Sequence, residues 1–94
     1  MPILNFGSCC IDHVYQVTHF ATPGETLLCS GYNVHPGGKG LNQSIAISAA
    51  GANIRHAGKI GEDGRWLIDL MKSKEIDVSL MKTGSKPTGH ANIQ

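Results

Sequence analysis

Ninety-four residues, 40% hydrophobic and 16% charged, fit one small globular unit and exclude an intrinsically disordered chain, which combines low hydrophobicity with high net charge. Eight Lys and Arg against seven Asp and Glu give a formal net charge of +1, which provides no broad electrostatic claim on nucleic acid or an anionic membrane. No apolar run approaches the roughly eighteen residues of a membrane span, and the N-terminal residues lack the basic start and long apolar stretch of a secretory signal.

In chain order, Ile3 to Phe6 is short and apolar and reads as a first, buried strand. Ile11 to Val17 is β-branched and aromatic. The Pro23-Gly24 pair then signals a turn, and Thr26 to Val34 reads as a second extended segment, so the two predict antiparallel strands joined by a loop. After the punctuation Pro36-Gly37-Gly38-Lys39-Gly40, the residues Leu41, Ile45 and Ala49 repeat every four positions. They predict a small-residue helix stopped by Gly51. Asn53 to Ile60 reads as a strand. Gly61-Glu62-Asp63-Gly64 turns the chain, with Asp63 as N-cap, and Trp66, Leu67, Leu70 and Met71 form the apolar stripe of a helix ending near Lys74, with Trp66 in the core. Val78 to Met81 and Thr88 to Gln94 are the last extended segments. Alternating strands and helices imply βαβ units and a parallel sheet.

The glycine cluster is the strongest chemical signal. The opening turn of a helix leaves backbone N–H groups free and carries partial positive charge, and adjacent glycines let a ligand approach the backbone closely. Lys39 adds a cation, and Asn42 adds an amide that can donate and accept. This is not a phosphate-binding Walker A loop, because Asn33 and Gly40 stand where that motif needs Gly and Ser or Thr. Spacing alone leaves a small polar-ligand site and a plain strand-to-helix turn level. Asp12, just past the first strand, can accept hydrogen bonds from neighbouring hydroxyls of a sugar, or simply cap a turn.

The remaining chemistry is thin. Cys9, Cys10 and Cys29 show no Cys-x-x-Cys spacing, so reduced thiols in a cytoplasmic protein are expected, and Cys9, Cys10 and His13 lack a second ligand pair for a metal. The five histidines form no His-x-x-x-His pair and are expected mostly at solvated positions.

Taken in order, Gly7-Ser8-x-x-x-Asp12, Pro23-Gly24-Glu25-Thr26, Gly37-Gly38-Lys39-Gly40-x-Asn42-Gln43, Gly51-Ala52 and Gly58-x-x-Gly61-x-Asp63 resemble the PfkB-type carbohydrate kinases, with the closest match to their ribokinase branch. The resemblance covers nearly the whole chain. It implies a ribokinase-like α/β fold: the N-terminal part of a mostly parallel sheet with flanking helices, plus β-strands of a lid from about 11–35 and 88–94. Asp12, Gly37, Gly38, Lys39 and Asn42 match the family's sugar-binding positions, and Cys10 and His13 would line the pocket. Cys10 departs from the pattern, because ribokinases commonly carry Asn there.

The family transfers the γ-phosphoryl group of ATP, with Mg²⁺, to a sugar hydroxyl, and its lid can also pair two copies as a homodimer. Its catalytic base is an Asp in a Gly-x-Gly-Asp motif that nothing up to Gln94 matches. The chain is therefore expected to hold the sugar half of such a site, with the base beyond residue 94. On this expectation the chain alone binds no ATP, Mg²⁺ or other metal and has no kinase turnover. The alternative is a catalytically inactive short chain serving as a sugar-binding or strand-pairing module.

Overall fold

A computed structural model describes residues 3–94. Its strands form two three-stranded sheets. The first is wholly parallel, in the order β1 (Ile3–Phe6), β4 (Ile54–Ile60), β5 (Asp77–Thr83). Helices α1 (Lys39–Ala49) and α2 (Arg65–Ser73) cover one of its faces, α1 packing on β1 and β4 and α2 on β5. The second sheet has the order β3 (Gly31–Gly37), β2 (Cys10–Gln16), β6 (His90–Ile93), with β2 antiparallel to β3 and parallel to β6. The chain leaves the first sheet twice to build the second, once after β1 and once after β5. This is the ribokinase-like arrangement expected from the sequence. No helix is long and apolar enough to cross a membrane among the described residues.

The core lies between the helices and the first sheet. Leu41 of α1, Ile54 and Ile60 of β4, Leu67 and Met71 of α2, and Ile76 are buried together, with Cys9 and Ile11 joining from the start of β2. Both helices end in the same way. Past α1, the Ala52 amide bonds Ile47 O (3.3 Å) and the Gly51 amide bonds Ser48 O (2.9 Å) with Gly51 at φ +92°. Past α2, Ile76 bonds Met71 O (3.0 Å) and Glu75 bonds Lys72 O (3.0 Å). Each is a Schellman stop, which turns on one left-handed residue. Glycine fills that place after α1, but Glu75 fills it after α2, at φ +61°.

Several expectations are corrected. β1 is not buried: it is an edge strand, and Leu4 and Phe6 on the face away from the helices are 60% and 84% exposed. The second extended segment starts at Gly31 rather than Thr26. The Pro23-Gly24 turn closes on itself through Glu25 N–H to Thr22 O (3.0 Å), and pairing resumes only at Ser30 N–H to Gln16 O (2.7 Å). That strand then runs on through Pro36, because β3 is an edge strand, where a missing N–H is tolerated. Trp66 is 36% exposed at the margin of the α2 stripe, so Leu67 and Met71 carry the buried contact instead. Asp63 does not cap α2. A short 3-10 turn, Glu62–Gly64, precedes the helix, Gly64 takes the cap position, and no side chain bonds there.

The left-handed Glu75 generates a prediction. A residue with a Cβ loses roughly 1 kcal/mol in that conformation. Glu75→Gly should therefore stabilise the chain by about 1 kcal/mol, less the added freedom of the unfolded glycine. Urea denaturation read by circular dichroism checks it, and a lower midpoint would refute it.

Candidate functional site: a glycine cradle under a carboxylate

The site forms where the loop after β1 meets the first turn of α1. Gly7 and Gly40 touch through backbone alone. A Cβ built on Gly40 would stand 2.5 Å from both Gly7 C and Ser8 N, and one on Gly7 would stand 2.7 Å from Gly40 Cα. This approach lets the Leu41 amide donate to Ser8 O (2.9 Å), which orients the helix start. Gly38 makes the bend into the helix at φ +98°, with its Cβ direction blocked by Ser8 O at 2.7 Å. Leu41 N–H is thus occupied, and the amides of Lys39 and Gly40 are left without an intrahelical acceptor.

Asp12 comes to this spot from β2. Cys10 stands opposite Gly37 and Asp12 opposite His35, so Asp12 and Gly37 share a face of the second sheet. A Cβ on Gly37 would lie 2.5 Å from each Asp12 carboxylate oxygen, so the carboxylate lies flat across a residue that has no side chain. Gly37 is buried, Asp12, Gly38 and Cys10 are half-buried, and Lys39 and Asn42 are exposed at the helix start. The structure therefore brings Asp12, Gly37, Gly38, Lys39 and Asn42 to one end of α1. His13 points to the other face of β2, where it stacks on Tyr32 (centroids 5.8 Å apart), hydrogen-bonds its hydroxyl and meets His90 edge-on (5.6 Å). A carboxylate near a helix start that carries a lysine and an amide side chain can accept from and donate to a molecule carrying adjacent hydroxyls.

Behind the cradle lies a buried polar chain that sequence reasoning missed. His56, one of five histidines expected mostly at solvated positions, is 0% exposed. Its Nδ1 lies 2.6 Å from Ser44 Oγ and its Nε2 lies 3.0 Å from Gly7 O. Asn5 Nδ2 donates to Ser44 Oγ (2.9 Å) and to Gly40 O (2.8 Å). Cys9 Sγ sits 3.3 Å from His56 Nε2, and its thiol is pushed up to about 11 by burial and then by the neighbouring Cys10. A usable signal was present: Ile54, His56, Gly58 and Ile60 alternate onto one strand face, so His56 shares the side of the buried isoleucines.

A second link ties the start of β6 to the first sheet. Asp63 Oδ1 accepts from Thr88 N–H (2.9 Å) and from Thr88 Oγ1 (2.8 Å), and Thr88 Oγ1 in turn accepts from Gly61 N–H (2.9 Å). The Thr88 amide, followed by its hydroxyl, holds the Asp63 carboxyl below its ordinary value. The Gly64 position leaves room for that hydroxyl, which would collide with a Cβ there.

The residues 3–94 match the family model described as pfkB family carbohydrate kinase. The chain is 38% identical over 91 residues to ribokinase of Haemophilus influenzae, covering 94% of this chain and 30% of the relative. It is 36% identical over 95 residues to a bifunctional ribokinase/ribose-5-phosphate isomerase A of Fructilactobacillus sanfranciscensis, covering 97% of this chain and 18% of that protein. Among solved structures, ribokinase from Cryptococcus neoformans in complex with ADP superimposes with a TM-score of 0.88 at 34% identity, over 97% of this chain and 29% of that one. Ribokinase from Thermotoga maritima gives 0.84 at 34% identity, over 95% and 30%. The chain thus spans less than a third of the length of these relatives.

Two outcomes follow from the geometry. Gly40→Ala should cost about 1–3 kcal/mol, because the new methyl meets backbone that cannot rotate away; thermal melts check this, and an unchanged midpoint would contradict the close crossing. A carboxyl with a lowered folded value contributes stability above its unfolded value of about 3.9, and loses that contribution as pH falls through the folded value. Thr88→Val removes one of the two Thr88 donors, so its melting temperature should fall less steeply than the wild type's between about pH 5 and about pH 2, from a lower start at neutral pH. Parallel slopes would show that the Thr88 hydroxyl does not engage Asp63.

Proposed function

We propose that this chain, which belongs to the pfkB family of carbohydrate kinases, provides the sugar-binding part of an ATP-dependent enzyme that phosphorylates a sugar hydroxyl. The observation that carries this reading is the Asp12 carboxylate laid across Gly37, two residues ahead of the first turn of α1 at Lys39 and Gly40. Neighbouring sugar hydroxyls would donate to Asp12. Asn42 and the helix amides would bind other hydroxyls and fix which one faces outward for reaction. Phosphoryl transfer depends on such positioning and on neutralising charge.

Cys10 and His13 were expected to line the pocket. Cys10 lies opposite Gly37 on the Asp12 face and remains assigned to the pocket, whereas His13 lies on the opposite face against Tyr32. The β3–β2–β6 sheet serves as the lid. Its outer face, with Tyr15 and Tyr32 packed at 4.9 Å and Tyr32 and Val34 exposed, is a surface on which two copies could pair.

The nucleotide side is supported by the ADP complex of a ribokinase that is 34% identical. The sugar pocket is assigned to this chain. ATP, Mg²⁺ and the catalytic base are assigned to the portion of the family fold that this chain does not match.

Isothermal calorimetry of the full chain against a panel of pentoses and hexoses tests the reading. One sugar is expected to give heat, and Asp12→Ala should weaken it about tenfold or more, since hydroxyls lose a charged acceptor. A folded chain that binds no sugar overturns the proposal. ATP-dependent sugar phosphate formed by the chain alone would overturn the division between the two halves.

A further inference from the structure

The cradle depends on a contact that no side chain can set. Gly7 and Gly40 meet backbone to backbone, so their alignment must be imposed from beside them. One ring reaches both segments. His56, in the middle of β4, spans from Gly7 O at 3.0 Å to Ser44 Oγ at 2.6 Å, and Ser44 lies one turn into α1 from Gly40.

The bonding pattern assigns the protons. A carbonyl oxygen can only accept, so Nε2 carries the hydrogen given to Gly7 O, and Nδ1 must accept from the Ser44 hydroxyl. Ser44 Oγ then accepts from Asn5 Nδ2 (2.9 Å), whose other hydrogen goes to Gly40 O (2.8 Å). The Nε2 hydrogen also faces Cys9 Sγ at 3.3 Å, a weaker second acceptor, and no buried side-chain polar atom is left without a partner among the described residues.

We infer that His56 is a positioning residue for the cradle: its neutral Nε2–H ring ties Gly7 to α1 through Ser44, and so sets the spacing between the Asp12 strand and the Lys39 and Gly40 amides. The inference deepens the sugar-binding reading and rests on it. Filling the core needs the ring's volume, which Phe supplies. Positioning needs a donor toward Gly7 O, which Gln supplies where Phe does not.

Nuclear magnetic resonance of the full chain separates the two roles. Without ligand, the His56 imidazole nitrogens are expected to show the Nε2–H tautomer. His56→Phe should shift the Gly7 and Gly40 amide resonances and weaken binding of D-ribose or D-fructose, whichever the wild type takes, by about tenfold or more while the variant stays folded. His56→Gln should recover most of both. A folded His56→Phe with wild-type sugar affinity, or an Nδ1–H tautomer, overturns the inference. If His56→Phe does not fold, the tautomer and His56→Gln decide: a folded Gln variant with displaced Gly7 and Gly40 resonances counts against it. If the wild type binds neither sugar, the sugar reading fails on its own. His56 is then judged by the resonances alone, and unmoved Gly7 and Gly40 signals in a folded Phe variant refute positioning.

Discussion

Two α-carbons without side chains, Gly7 and Gly40, lie against each other, and the rest of the molecule is arranged around that contact. The chain leaves the parallel sheet at Gly7, folds β2 and β3, and returns at Gly40 as a helix. Burial of Leu41 against Ile54 and its neighbours pulls the helix down at roughly 25 cal/mol per Å² of apolar surface, but that force has no direction. Direction comes from hydrogen bonds: Ser8 O to the Leu41 amide, Asn5 to Gly40 O, and His56 to both sides of the crossing. With a Cβ at either glycine the helix would have to lift away from the loop after β1.

Much of this was legible in the residues. The α1 helix could be read because its repeat of Leu41, Ile45 and Ala49 and its Gly51 stop are local signals, and hydrogen bonding around Gly51 closes the helix as expected. The PfkB-type motifs led to the fold, which the comparisons support. The misread parts depend on partners distant in sequence. β1 has a buried strand's composition, but it is an edge strand with one uncovered face. Asp63 has the sequence position of a cap, but Thr88, twenty-five residues on, offers it two donors. His56 looked like one histidine among five until the strand placed it under α1.

The two sheets divide the work of the site. The parallel sheet supplies the loop and helix that present amides, and the other sheet supplies the carboxylate. Besides the covalent connections, they are joined by the Asp63–Thr88–Gly61 link and the burial of Ile11 in the common core.

The topology also fixes an order of assembly. β2 finds its antiparallel partner β3 across a short connection, but its other neighbour, β6, pairs Ile11 with His90. As the polypeptide is made, the hairpin can close early, while its other edge waits for residues 90–93, and the loop-closure entropy of that distant pairing is met later. The strand that carries the carboxylate thus completes its pairing only after residues 90–93 have been made.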